Sequence, residues 1–380
     1  MSPTNAFNLS PDICYLNHAA VSPWPRRTVE AVTRFAEENG RRGSEHYARW
    51  LSIEEDLRGR LATLINAPSP RDIALAKNTS EALSIIAYGI DWREGDNVVG
   101  IAEEFPSNRI VWESLSSRGV DYRQLNLYRS SAPEEDLMAL CDDRTRLIAV
   151  SSVQYARGLR LDLEVLGNYC RSHDILLGVD AIQHLGAAPF DLERTAADFV
   201  VADGHKWMLG PEGIALLYVN PAIRPRLSLH QFGWHMTAQP GDYERSDWQP
   251  AADARRFECG SPNMLGIHAL NASLSLLIDE GLNRVQTLLQ QRIDRLIELV
   301  DAAGFELLSP RGAERRAGIV TFRVPDVPLE PLHKDLVSRK IMCAQRGGGI
   351  RFSPHFYTPM EALERAVAAA EDLALRGNQA

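Results

Sequence analysis

A chain of 380 residues, 45% hydrophobic and 24% charged, has the composition of a globular protein with one large core or two moderate ones. That excludes a disordered or fibrous chain, and a formal net charge of -9 excludes a global electrostatic footprint for nucleic acid or an anionic membrane. Only four lysines occur, Lys77, Lys206, Lys334 and Lys340, so any amine nucleophile comes from a short list.

In chain order, residues 1–24 read as an irregular segment packing against a small C-terminal domain. Apolar residues at helical spacing predict helices over 25–38 and 45–66. From Asp72 the texture becomes short apolar runs at 73–76, 97–101, 147–150, 175–179, 199–202 and 214–219, separated by amphipathic stretches. Such alternation predicts an α/β fold, a largely parallel sheet covered by helices on both faces, with chemistry at the carboxyl ends of its strands. A Pro-, Gly- and Trp-rich stretch over 220–250 reads as a domain connection carrying functional loops. Beyond it are expected one long helix over 263–301, a strand over 318–324, a helix over 330–339, a strand over 350–353 and a last helix over 358–375. The division expected is a large domain over 25–250 and a small α+β domain over 251–380, with the linking helix beginning near 263.

The five cysteines are far apart and form no CxxC or Cys/His cluster, which predicts reduced thiols, a cytoplasmic location and no metal site. The N-terminus carries neither a basic nor an apolar leader, and no apolar run approaches the ~18 residues of a membrane span.

Three stretches carry chemistry. Lys206, in Ala202-Asp203-Gly204-His205-Lys206-Trp207, follows a strand and is flanked by glycines and an aromatic residue. Such a setting lowers an amine's pKa, as Schiff-base chemistry requires, although a lone lysine in a turn is ordinarily a solvated surface group. Asp180 ends the strand Leu177-Gly178-Val179-Asp180, where a buried carboxylate needs a partner such as a pyridinium nitrogen; the plain alternative is a helix cap or turn residue. Asn78-Thr79-Ser80-Glu81 joins a strand to a helix and offers hydroxyls and free N–H groups to a phosphate, or simply an N-cap.

These residues, in this order, resemble the class V aminotransferases of pyridoxal-phosphate fold type I, which include the cysteine desulfurases and isopenicillin N epimerase-like proteins. The resemblance covers nearly the whole chain. Its motifs are Tyr15-Leu16-Asn17-His18-Ala19-Ala20, Asn78-Thr79-Ser80-Glu81-Ala82, Glu104-Phe105-Pro106-Ser107-Asn108, Val179-Asp180-Ala181-Ile182-Gln183, Asp203-Gly204-His205-Lys206 with Gly210-Pro211-Glu212-Gly213, and Gly260-Ser261-Pro262-Asn263. It implies a mostly parallel, mixed seven-stranded sheet between helices plus a smaller C-terminal α+β domain, and pyridoxal 5'-phosphate as cofactor. Lys206 would be the Schiff-base lysine and Asp180 the partner of the ring nitrogen. Thr79, Ser80 and His205 would bind the phosphate, Gln183 the ring hydroxyl, and Phe105 would stack on the ring. Gln154 would be a further contact to the ring oxygen or substrate. Ser261 would reach a phosphate across the interface of a homodimer with two composite sites. Arg351 would grip the substrate α-carboxylate with its planar fork, and His18 and His235 would neighbour the substrate.

Two departures from the desulfurases stand out. Those enzymes carry a nucleophilic cysteine on a mobile loop shortly before the carboxylate-binding arginine; here Cys343 lies in an apolar stretch that reads as a buried, inert strand. Asp203 stands where they place a small hydroxyl residue, and a carboxylate there repels a phosphate unless it turns away or binds His205 or an arginine. The leading expectation is a class V aminotransferase acting on a small amino acid, with a keto acid as partner. A β-eliminating C–S lyase or an epimerase is the alternative, and a non-catalytic binding protein of this fold the outside one. A nicotinamide dehydrogenase lacks support, because no GxGxxG follows a strand. Substrate choice is expected from loops 231–235 and 41–46.

Overall fold

The short apolar runs from residue 72 onward assemble into one seven-stranded sheet. In the computed structural model, which describes residues 3–377, its strands are β1 (Ile73–Ala76), β2 (Asn97–Ile101), β3 (Asp121–Leu125), β4 (Thr145–Ser151), β5 (Leu176–Asp180), β6 (Phe199–Asp203) and β7 (Ala215–Val219). The first two residues of the expected 1–24 segment lie outside the described residues. The spatial order is β1-β7-β6-β5-β4-β2-β3. β7 runs antiparallel to both its neighbours and every other pair is parallel. Central strands such as β6, with every residue buried, are the continuous apolar runs that sheets covered on both faces require. β3 is an edge strand of half-exposed Asp121, Tyr122, Arg123, Gln124 and Leu125, so it leaves no apolar run in the sequence.

The helices that matter to the site are α1 (Arg26–Arg42), α2 (Tyr47–Ile65), α3 (Thr79–Gly89), α4 (Ser107–Glu113), α5 (Met264–Glu280), α6 (Leu282–Ala302), α7 (Leu329–Ser338) and α8 (Met360–Gly377). The single helix expected over 263–301 is two. Gly281, at φ 79, caps α5 and starts α6, a left-handed conformation that interrupts the hydrogen-bond ladder. Periodicity concealed the break because both halves keep an apolar stripe. The two stripes serve largely different cores, although Val285 near the start of α6 still belongs to the first. Met264, Ile267, Leu270 and Leu274 of α5 join the cluster beneath the large sheet, whereas Leu289, Ile293, Leu296 and Val300 of α6 join a second one.

That second core lies under a four-stranded antiparallel sheet of β8 (Glu306–Leu307), β9 (Val320–Arg323), β10 (Ala344–Arg346) and β11 (Gly349–Phe352), in the order β10-β11-β9-β8. Cys14 and Leu16 belong to it. The N-terminal segment is stitched in: Cys14–Tyr15 pairs in parallel with Ile341–Met342, and the Leu16 carbonyl accepts from the Ser353 N–H at 2.8 Å. A few residues further, the Ser22 N–H donates to the His205 carbonyl at 2.8 Å. One extended strip of chain therefore ties the end of β11 to the end of β6, which brings Arg351 and Lys206 to the same chamber. Among the described residues, no helix is long and apolar enough to cross a membrane.

Candidate active site

β4, β5 and β6 end side by side, with Ser151 opposite Asp180 and Asp180 opposite Val201. Past Asp203 the chain turns, held by the Gly204 N–H on the Ile214 carbonyl and the Gly210 N–H on the Gly204 carbonyl, both at 2.9 Å. Trp207 anchors the turn: it is fully buried, and its indole N–H donates to Gln183 Oε1 at 2.8 Å. A Cβ on Gly318 would fall 2.2 Å from the Trp207 ring, so only glycine permits that packing. Lys206 is thereby fixed at the strand end.

Its amine is unlike the other three. Lys77, Lys334 and Lys340 are exposed and paired with Glu81, Glu330 and Asp12. Lys206 is 7% exposed, and its amine makes no hydrogen bond among the described residues; it faces the Phe105 ring, 5.4 Å from the centroid. Burial pulls its pKa down to about 8, Asp180 and Asp203 hold it up, and Arg351 and Arg346 push it further down. Asp180 is buried too, accepts from the Ile182 N–H at 3.0 Å, and is raised by burial to about 6.

Glu104 is a neighbour to which sequence reasoning gave no role. Its carboxyl accepts from the Ser151 N–H at 2.6 Å and the Ser151 hydroxyl at 2.5 Å, and burial lifts its pKa to about 8, with the charge of Asp180 adding to the rise. A carboxylate just past the apolar run of β2, in a sheet whose strand ends carry chemistry, was the signal available.

On the other side of Asp203 lies the start of α3. Asn78 caps it by accepting from the Glu81 N–H at 2.9 Å, leaving Thr79 and Ser80 in the first turn. The Thr79 hydroxyl accepts from the Asp203 N–H at 3.2 Å, which ties this helix end to the lysine turn. The Ser80 hydroxyl donates to that of Ser107 at 2.7 Å, adding a second hydroxyl-bearing helix start that sequence reasoning had left without a role. Asp203 Oδ1 lies 3.0 Å from His205 Nδ1, at ion-pair distance but not aligned as a hydrogen bond, so its carboxylate points at the imidazole. Ser261 is exposed shortly before α5 and makes no hydrogen bond among the described residues.

Facing Lys206 from the small sheet, Arg351 is 2% exposed, donates through Nη1 to the Tyr155 carbonyl at 2.7 Å, and keeps an unpartnered Nε. Burial and the charge of Arg346 lower its pKa to about 10. Phe105, 41% exposed, meets Tyr155 edge-on at 5.4 Å and forms the wall between Lys206 and Tyr155. Gln183 is buried, its amide shared between the Trp207 indole and the Ala19 carbonyl, with one amide hydrogen left over.

Three expected contacts are occupied elsewhere. His18 is fully buried, with Nδ1 2.9 Å from the Ser353 carbonyl and Nε2 2.7 Å from the Tyr357 hydroxyl, so neither ring nitrogen is available to a substrate. Both ends of the Gln154 amide are engaged as well, by the Glu103 carbonyl and Tyr128 hydroxyl on one side and the Ala156 and Arg157 N–H groups on the other. It staples a turn. His235 packs beside Glu258, 3.8 Å away, in a buried ion cluster around Arg58. Cys343 lies next to Ala344, which opposes Arg351 across the hairpin; its thiol therefore points to the other face, into the second core, where burial raises its pKa to about 12.

The unpartnered buried atoms around Lys206 test what the chamber can hold. Arg351 Nε has no hydrogen-bond partner among the described residues, and Asp203 Oδ1 and His205 Nδ1 face only each other, in a molecule where buried polar groups are nearly always satisfied. Together with the buried carboxylate of Asp180 and the hydroxyls of Thr79, Ser80 and Ser107 at two helix starts, they suit a flat ring with a cationic nitrogen, a phosphate and an adjoining carboxylate. The residues fit the cofactor that the resemblance implies.

The family model described as Aminotransferase class-V matches residues 14–365. A probable cysteine desulfurase of Pyrococcus abyssi is 28% identical over 399 aligned positions, covering 98% of this chain and 97% of that protein. Among solved structures, the apo cysteine desulfurase of Thermococcus onnurineus NA1 superposes with a TM-score of 0.89 at 24% identity, covering 99% of both chains. The cystine C–S lyase C-DES, in complex with its product cysteine persulfide, gives 0.88 at 23% identity over 95% of this chain and 98% of its own. At those identities the two structures establish the shared fold.

Proposed function

The chain belongs to the class V aminotransferase family, and from that premise we propose a pyridoxal-phosphate-dependent C–S lyase that removes the α-proton of a small sulfur-bearing amino acid and releases its β-substituent. One observation carries the reading: Lys206 is a buried amine with no hydrogen bond among the described residues, under the charges of Asp180 and Arg351, while the Cys343 thiol is turned into the core. The cystine C–S lyase and desulfurase names of its relatives support the C–S bond as the one broken.

Bound here, pyridoxal phosphate supplies the electron sink that makes an amino acid's α-proton removable. Lys206 would hold it covalently, Asp180 its ring nitrogen, Phe105 its face and the spare amide hydrogen of Gln183 its ring hydroxyl. Thr79, Ser80, Ser107 and His205 would take the phosphate, and Ser261 would lend its hydroxyl to the phosphate of a second copy in a homodimer. Asp203, directed at His205, keeps that imidazole oriented, and its charge is spent there rather than on the phosphate. Arg351 has an unsatisfied Nε for the substrate α-carboxylate, which turns the Cα–H toward Lys206. Lys206, released when the substrate's own amine displaces it from the cofactor, would act as the base; a pKa near 8 for the free amine leaves a usable neutral fraction at pH 7 and a competent proton acceptor. Gln154 and His18 shape the walls without touching substrate.

The test is product analysis with purified, cofactor-loaded enzyme. L-Cysteine or L-cystine should give equal amounts of pyruvate and ammonia with no keto acid required, and Cys343→Ala should keep turnover within about 2-fold. Formation of alanine that depends on Cys343 would identify a persulfide-forming desulfurase instead. Amino transfer that requires a keto acid, without pyruvate release, would replace the lyase by the aminotransferase.

A further inference from the structure

We infer that Arg346 is a second anion-binding group of this site and selects α-amino acids bearing a distal carboxylate on the side chain. The inference rests on the reading of Lys206 and Arg351 as the substrate site, and it adds the class of substrate.

The hairpin register carries the argument. β10 and β11 pair with Ala344 opposite Arg351 and Arg346 opposite Gly349. Residues directly opposite, and residues two apart on one strand, share a face, so Ala344, Arg346 and Arg351 all project from the same side of the hairpin. The turn between the strands is the shortest kind, Gly347-Gly348, with φ of 57 and 83, and the Arg157 Nε–H donates to the Gly347 carbonyl at 3.0 Å. The hairpin cannot splay, and the two guanidiniums stay diagonal neighbours on the substrate side.

Arg346 has nothing to neutralise it. It is exposed, its hydrogen bond goes to the adjacent Gln345 carbonyl at 2.8 Å, and no carboxylate pairs with it among the described residues. Three arginines around the same small sheet are paired, Arg323 with Glu306, Arg315 with Glu134 and Arg316 with Asp294, whereas Arg157, against the hairpin, lies over the Tyr128 ring at 3.8 Å instead. The charge of Arg346 also lowers the pKa of both Lys206 and Arg351, in keeping with its place on the Arg351 face of the hairpin. An α-carboxylate on Arg351 answers one guanidinium and leaves the second open. A planar fork on the Arg351 face of the hairpin, with no carboxylate paired to it among the described residues, is a site for a further carboxylate, carried by the substrate.

The experiment compares two ligands of one shape, S-carboxymethyl-L-cysteine and its uncharged amide S-carbamoylmethyl-L-cysteine, by calorimetric titration of the cofactor-loaded enzyme. The carboxylate should bind about 10-fold tighter or more, Arg346→Gln should shrink that ratio to within about 2-fold, and Arg346→Lys should restore part of it. Equal affinities in the unaltered enzyme, a ratio that survives Arg346→Gln, or failure of both ligands to bind would overturn the proposal. Because the readout is heat of binding, an enzyme that discriminates between the two yet eliminates from neither would refute the lyase reading and leave this one standing.

Discussion

Two buried clusters of charge in this molecule are built on opposite principles. In the first, Arg58 of α2 donates to Glu258 at 2.6 and 2.8 Å, to Glu54 at 2.5 Å and to the Ile73 carbonyl at 2.8 Å, while the Leu75 N–H donates to Glu258 at 2.9 Å. Burial alone would lower the guanidinium's pKa, but Glu258 and Glu54 outweigh it and hold Arg58 firmly charged. Ligand atoms of Glu54, His235 and Glu258 lie within 4.8 Å of one another, as a metal ion would ask, yet Arg58 already stands as their cation. In the second cluster, Lys206 has charged neighbours and no hydrogen bond, and its pKa falls to about 8. A buried charge that is nearly saturated joins elements together; one left in deficit is ready for chemistry.

Removing each cation is the strongest way to break that contrast. Lys206→Ala should lower turnover about 10³-fold or more and abolish the visible absorption band of the lysine-linked cofactor. Its melting temperature should hold or rise, because an amine without a hydrogen bond has left the interior. Arg58→Met should do the reverse, costing about 3–5 kcal/mol of stability in denaturant titration while turnover per folded molecule is kept. Loss of stability in the lysine variant together with loss of turnover in the arginine variant would dissolve the distinction.

His18 sharpens the comparison as a buried group that burial keeps neutral. Burial, partly offset by the Ser353 carbonyl, depresses its pKa from 6.5 to about 4. The unfolded chain therefore takes up a proton that the folded one refuses, so stability is fully present above pH 6.5 and is lost as pH falls toward 4. The contribution lost between pH 7 and pH 5 is about 2 kcal/mol, and His18→Gln should remove that much pH dependence from denaturation curves. A variant with an unchanged slope would show that the ring is protonated in the fold.

The smallest expected effect concerns the lysine's own titration. Uptake of pyridoxal phosphate by the apo-protein needs a neutral Lys206 amine, so its rate should rise with pH to a plateau, with a midpoint near 8. Asp180 holds that pKa up, and Asp180→Asn should move the midpoint to lower pH. A midpoint that stays or climbs would mean that the two charges do not communicate.

Much of the fold was legible because it is local. The six apolar runs foreseen from 73 to 219 are six of the seven strands of the large sheet; only β3, an edge with no apolar run, was silent. The helix over 263–301 was legible as helical but not as broken at Gly281, since a stripe of apolar residues carries no record of which core it enters. In the candidate site the same division holds. Lys206 and Asp180 stand at strand ends, where residue type and neighbours along the chain already suggest their chemistry.

The sequence by itself determined the order of strands and helices, the family, and the one lysine worth testing, because periodicity, glycine turns and strand ends are properties of neighbouring residues. Only the tertiary structure decided which polar groups are free. His18 and Gln154 read as site residues until partners far along the chain, Ser353, Tyr357 and Glu103, were seen to occupy them. Arg346 carries no signal along the chain; the hairpin sets it on the face of Arg351, with no carboxylate paired to it among the described residues. Hydrogen bonds and ion pairs are satisfied in space rather than along the chain, and a deficit becomes visible only when every neighbour is in place.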